Sequence, residues 1–120
     1  MGQRLLLVDD EENFGAVCAA YLADLGYAVD VSSETGEARQ RLECGGYDAV
    51  LLDLVLPEDN GLALLSYIRA RWPALPVVMV TAYEGDPRLE QARGLGVEGI
   101  LLKPLDIGQL RALLQNQLSS

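Results

Sequence analysis

Leu5-Leu6-Leu7-Val8-Asp9-Asp10 is the stretch that decides the fold: four apolar residues in unbroken succession, then two carboxylates. Ala49-Val50-Leu51-Leu52 runs into Asp53 in the same way. Val77-Val78-Met79-Val80 runs into Thr81, and Ile100-Leu101-Leu102 into Lys103-Pro104. Short apolar runs without polar alternation, separated by helical stretches, read as parallel strands buried on both faces. The carboxyl ends of such strands share one sheet edge, the edge where ligands bind. Three carboxylates, a hydroxyl and an ammonium therefore converge, a set suited to a divalent cation and a phosphoryl group.

Working outward, the spacing predicts strands over 5–8, 27–31, 48–52, 76–80 and 98–102, with helices over 11–25, 34–44, 61–71, 86–95 and 106–117. The first helix carries the clearest stripe: Phe14, Val17, Cys18, Tyr21, Leu22 and Leu25. Acidic Asp10-Glu11-Glu12 complements its dipole, and Gly26 follows its end. Asp86-Pro87 reads as a cap and first-turn proline for the fourth helix. That helix is poor in large apolar residues, which makes it the expected mobile element. The second strand alternates, as an edge strand does. Residues 116–120 read as a frayed end. Five alternating strands and helices make a doubly wound α/β domain, with 1–120 as a single unit.

Composition narrows the function. The chain has 120 residues, half of them hydrophobic, and nine basic against eighteen acidic residues for a net charge of −9. That charge opposes direct nucleic-acid binding and anionic membranes. No apolar run approaches the roughly 20 residues of a membrane span. Without a leader-like segment, and with Cys18 and Cys44 unpaired in any CxxC motif, the expectation is a cytoplasmic protein with two reduced, structural thiols.

Each polar strand-end residue has a simpler explanation taken singly. Asp10 could cap the first helix, Thr81 could start a loop, Lys103 could snorkel, and Asp53 could support a turn from Pro57 to Gly61. Their joint placement at four strand outlets outweighs these. Two carboxylates about 5 Å apart repel by roughly 3 kcal/mol at an effective dielectric near 20, so a gathering of three needs compensation. Lys103 supplies one positive charge and a divalent cation two more. Oxygen donors and a chain without histidine favour Mg2+ over zinc. A carboxylate beside Mg2+ and a lysine can attack phosphorus, with Thr81 donating a hydrogen bond. Asp53 is the most plausible nucleophile; the adjacent Asp9 and Asp10 suit the metal.

With these residues in place, the chain resembles a response-regulator receiver domain of two-component signalling over essentially its whole length. The motifs are Val8-Asp9-Asp10-Glu11, Asp53-Leu54-Val55-Leu56-Pro57 through Gly61-Leu62, Val80-Thr81-Ala82 and Lys103-Pro104. The resemblance implies a flavodoxin-like sheet of order 2-1-3-4-5 and Asp53 as phosphoacceptor. It implies that Asp10, Asp53 and the Val55 carbonyl hold Mg2+, with Asp9 acting largely through water. Thr81 and Lys103 would contact the phosphoryl group, small Ala82 would leave the site open, and the Lys103–Pro104 bond is often cis in such proteins. The donor would be a histidine kinase or a histidine phosphotransfer protein. An output domain, or a homodimer through the face of the fourth helix, fifth strand and fifth helix, would read the signal. Such a chain is no enzyme beyond catalysing its own phosphorylation and dephosphorylation.

Two positions depart from that pattern. Many receivers carry an aromatic residue three places before the lysine, and here stands Ile100, which has no ring to swing. Thr81 is then expected to move with the signal read through the fourth helix. Tyr83 and Val55, flanking the phosphoryl position, offer no water activator, so slow self-hydrolysis is expected. Of the rivals, a haloacid-dehalogenase-type phosphatase would want an acid at Val55, and a flavodoxin's phosphate loop would be repelled by Asp9-Asp10-Glu11-Glu12. A receiver fold that docks without phosphorylation is the remaining alternative.

Overall fold

The computed structural model describes residues 3–57 and 60–118, without the side chain of Asn60. The strands are β1 (Arg4–Val8), β2 (Ala28–Ser32), β3 (Ala49–Asp53), β4 (Val77–Thr81) and β5 (Gly99–Leu102). The helices are α1 (Glu12–Asp24), α2 (Thr35–Cys44), α3 (Asn60–Arg71), α4 (Arg88–Gly94) and α5 (Ile107–Leu118). All strand pairs are parallel and the order is β2-β1-β3-β4-β5, the expected doubly wound sheet.

Apolar runs face both ways because helices cover both sides. Leu5, Leu7, Ala49, Leu51 and Val78 pack against Cys18 and Leu22 of α1 and Leu110 and Leu114 of α5. Leu6, Val8, Val50, Leu52, Val77 and Met79 meet Ala38 and Leu42 of α2, Leu64, Leu65 and Ile68 of α3, and Leu89 and Ala92 of α4. The three inner strands are buried almost throughout. β5 is different: although as apolar as the others, it lies at a sheet edge, with Ile100 half-buried and Leu102 exposed. Ile100 packs with the cluster that contains Leu89 and Ala92, so it is a wall residue beside α4.

Several expectations need correction. In α1 the buried face is Gly15, Cys18 and Leu22, while Val17 and Tyr21 are 58% and 51% exposed. A Cβ at Gly15 would stand 3.1 Å from Val31, so this glycine lets α1 approach β2 closely and turns the Val17–Tyr21 edge outward. Of the two cysteines only Cys18 is structural. Cys44 is exposed, whereas burial and the charge of Asp9 push the Cys18 thiol up to about 11. α5 continues through Leu118, whose carbonyl accepts a bond of 2.8 Å from Gln3 Nε2, so 116–118 are not frayed. Residues 119 and 120 lie outside the described residues, as do 58 and 59 of the expected Pro57–Gly61 turn.

α4 is shorter than the expected 86–95, running over Arg88–Gly94, and its far end is pinned. Arg69 of α3 donates to Leu95 O at 2.7 Å, Gly96 O at 2.9 Å and Leu75 O at 2.6 Å, and pairs with Glu98 at 3.0 Å. Glu98 in turn accepts the Val77 N–H at 2.6 Å, tying α3, α4 and the start of β4 together. At the near end Asp86 accepts the Arg88 N–H at 2.9 Å and pairs with its guanidinium.

Candidate functional site

Strand register builds the site. Val8 pairs with Leu52, so Asp9 emerges beside Asp53; Asp53 pairs with Val80 and Thr81 with Leu102, which places Lys103 one step beyond. The Lys103–Pro104 peptide is cis. Carboxylate oxygens of Asp9, Asp10 and Asp53 come within 4.8 Å of one another. Asp9 is 1% exposed and Asp53 4%, while Asp10 faces solvent. Val55, Ala82, Glu11 and Lys103 complete the pocket wall.

Backbone bonds fix the acids. Asp9 Oδ1 accepts the Glu11 N–H at 2.8 Å, and Asp53 Oδ1 accepts the Val55 N–H at 3.0 Å. Asp9 thus orders the turn into α1, the capping task considered for Asp10, and Asp10 faces solvent. Lys103 Nζ sits 2.8 Å from Asp9 Oδ2 and 3.3 Å from Asp53 Oδ2. The Asp9 contact is an ion pair outside hydrogen-bonding angles, since Oδ2 has no hydrogen-bond partner. Burial, and then the charge of Asp9, raise the Asp53 carboxyl above its ordinary value, against the lowering effect of the Val55 N–H and Lys103. Burial opposes the charge on Lys103, but the close carboxylates of Asp9 and Glu11 and the charges of Asp53 and Asp9 outweigh it and hold the ammonium well above its usual range.

Two participants escaped sequence reasoning. Glu11 Oε1 lies 2.6 Å from Lys103 Nζ, so the third acid after β1 serves the site as well as the helix dipole. With it, four carboxylates face one ammonium, and a divalent cation leaves the cluster one charge short of neutral. Phe14 places its ring centroid 4.4 Å from the same Nζ. The unbroken Asp9-Asp10-Glu11 run and a phenylalanine one turn on were the available signals.

Thr81, fully buried, spends its hydroxyl locally: Oγ1 accepts the Tyr83 N–H at 3.2 Å and lies 3.4 Å from Tyr83 O. Tyr83 itself is exposed, as is Val55. Gly61 abuts the site from behind. A Cβ there would meet Leu54 O at 2.1 Å and Asp53 O at 2.9 Å, so only glycine lets α3 start this close to the end of β3.

The donor set fits Mg2+: three carboxylates from two strand outlets, hard oxygen ligands, and a buried Asp9 oxygen that no hydrogen bond satisfies. No helix among the described residues is long and apolar enough to cross a membrane.

The model of the response regulator receiver domain matches residues 5–115. The chain is 35% identical over 116 residues to the response regulator protein PilR of Pseudomonas aeruginosa, covering 97% of this chain and 26% of that protein. It is 34% identical over 116 residues to the Regulator of RpoS of Escherichia coli K12, covering 94% of this chain and 34% of that one. The chain therefore spans only about a quarter to a third of these relatives. Among solved structures, the response regulator TrrA of Thermotoga maritima, in complex with Mg2+-BeF, superposes with a TM-score of 0.87 at 26% identity, covering 97% of this chain and 99% of that one. A strand-edge acidic pocket beside a half-buried lysine on a 2-1-3-4-5 sheet, together with the family match, defines the class as signal-receiver domains. This chain belongs to the response regulator receiver domains of two-component systems.

Proposed function

We propose that the chain is a phosphoacceptor, taking a phosphoryl group from the phosphohistidine of a kinase or phosphotransfer protein onto Asp53. The convergence of Asp9, Asp10 and Asp53 within 4.8 Å beside Lys103 carries this reading, because such a cluster is costly unless a cation and an anionic group use it. Asp10, Asp53 and the Val55 carbonyl would hold Mg2+, with Asp9 in its outer shell; bound there, it neutralises phosphoryl oxygens and aligns the transfer.

The chain's own groups do the rest. Asp53 Oδ2 attacks phosphorus while its Oδ1 stays on the Val55 N–H, which keeps the carboxylate aimed. The phosphorus–nitrogen bond breaks and its electron pair returns to the donor imidazole. Lys103 then meets one new phosphoryl oxygen, and Thr81 must turn its hydroxyl proton away from the Tyr83 carbonyl to meet another. Ala82 leaves room for the group. That release of Thr81, two residues beyond Met79 on the strand face that meets α4, supports transmission through α4, with Ile100, the partner of Met79, as a passive wall in place of a swinging ring. Val55 and Tyr83 supply no base for an attacking water, so the phosphorylated state is long-lived on this reading. The chain is then no enzyme beyond turning over its own aspartyl phosphate. An output domain, or a second copy on the α4–β5–α5 face, would read the change.

The test is incorporation of acid-labile phosphate from a small phosphodonor in the presence of Mg2+. Wild type should label and Asp53→Asn should not. Equal labelling of both, or of neither, would overturn the phosphoacceptor reading, the second result favouring a receiver fold that works by docking alone.

A further inference from the structure

We propose that Glu11 is a positioning residue, a latch that holds Lys103 in reserve and must let go before the lysine can serve a phosphoryl group on Asp53. The inference rests on the phosphoacceptor reading above and deepens it.

An ammonium has three N–H donors and no more. Around Lys103 Nζ stand Glu11 Oε1 at 2.6 Å, Asp9 Oδ2 at 2.8 Å and Asp53 Oδ2 at 3.3 Å, with the Phe14 ring on a further side. Glu11 and Asp53 accept hydrogen bonds from the ammonium and Asp9 faces it as an ion partner, so three carboxylates already fill its surroundings. A phosphoryl group on Asp53 brings several anionic oxygens to the same ammonium, and the carboxylate that loses least by leaving is the one to yield. Asp9 cannot yield readily: it is 1% exposed, and its other oxygen is held by the Glu11 N–H. Asp53 Oδ2 becomes the bridging oxygen, so its place beside the lysine passes to the phosphoryl oxygens. The Glu11 side chain is 62% exposed, and water recovers its carboxylate at little cost when it swings away. Glu11 therefore competes with the phosphoryl group for Lys103. The shortest of the three contacts is the expendable one.

This competition sets how tightly the loaded state is held. A half-exposed ion pair is worth up to about a fivefold change in an equilibrium constant, which is the scale of the latch. A plain alternative is that Glu11 merely adds negative charge near the pocket. Glu11→Asp separates the two, because it keeps the charge but carries the carboxylate about 1.5 Å short of the lysine.

The experiment measures binding of beryllofluoride, a phosphoryl mimic that accepts an oxygen lone pair from Asp53, to the full chain at saturating Mg2+. Dissociation constants are taken by amide NMR titration for wild type, Glu11→Gln, Glu11→Asp and Glu12→Gln. Glu12 is the matched control, exposed and one residue further on. The latch requires both Glu11 variants to bind about fivefold tighter than wild type, with Glu12→Gln unchanged. Tightening in Glu11→Gln alone, with Glu11→Asp like wild type, overturns it in favour of bulk charge. Unchanged affinity in both Glu11 variants, while wild type binds normally, also overturns it and leaves the phosphoacceptor reading intact. Failure of wild type itself to bind removes both.

Discussion

Asp53→Asn should make the Mg2+-free protein more stable, although Asp53 is buried and hydrogen-bonded. At separations up to 4.8 Å, Asp53 repels Asp9 and Asp10 by about 3.5 kcal/mol each at an effective dielectric of 20. Its attraction to Lys103 at 3.3 Å is worth about 5 kcal/mol on the same scale. Repulsion wins by about 2 kcal/mol, and relief of the buried charge adds to it. Removing one member of a buried pair usually strands the other. Lys103 is not stranded, because Asp9 and Glu11 remain at 2.8 and 2.6 Å. The asparagine oxygen can still accept the Val55 N–H. Urea unfolding at pH 7, low salt and with chelator should thus place the variant about 2 kcal/mol above wild type, and salt should shrink the gap. The pH dependence has a definite sign. The folded carboxyl lies above its unfolded value, so ionised Asp53 costs stability at all pH above that raised value. The cost fades as pH falls through the folded pKa toward the unfolded one, and the gap closes with it. At hundredfold excess over its dissociation constant, Mg2+ should add about 2.7 kcal/mol to wild type and less to the variant, reversing their order. A variant equal to or weaker than wild type in chelator would refute the electrostatic reasoning.

Other perturbations follow from the same structure. Lys103→Ala leaves Asp9 and Asp53 buried without a cation, so the Mg2+-free protein should lose about 3–5 kcal/mol in urea unfolding. The same variant should bind Mg2+ more tightly in calorimetric titration; weaker binding would contradict the charge assignment. Gly61→Ala drives a methyl into the Leu54 carbonyl and should cost about 3 kcal/mol, at the upper end of overpacking penalties, measured by thermal unfolding. Arg69→Ala removes bonds to Leu75, Leu95, Gly96 and Glu98 and should cost about 2–4 kcal/mol. Hydrogen exchange in that variant should rise first around Leu95 and Val77; uniform exchange would show that the clamp is not local.

Reading the sequence alone found the five strands, the five helices and the strand-end acids, because those features are written in short-range patterns. Unbroken apolar runs specify two-sided burial, and a polar residue at the end of each run specifies an outlet. Register between strands is not a short-range property, and it is register that sets Val8 against Leu52 and so brings Asp9 to Asp53. Burial of a run depends on its neighbours: β5 reads like β3 but is half-exposed, because no strand lies beyond it. The Val17–Tyr21 edge of α1 carries helical periodicity and still faces solvent, since Gly15 decides which side meets the sheet. Glu11 and Arg69 were legible as charges, but not as partners. Glu11 reaches a lysine 92 positions away, and Arg69 reaches carbonyls 26 and 27 positions on. The chain by itself determined which elements form and which chemical groups stand at their ends. Only tertiary packing decided which of those groups touch, because a contact between distant residues depends on strand order, register and the closest approach each glycine allows.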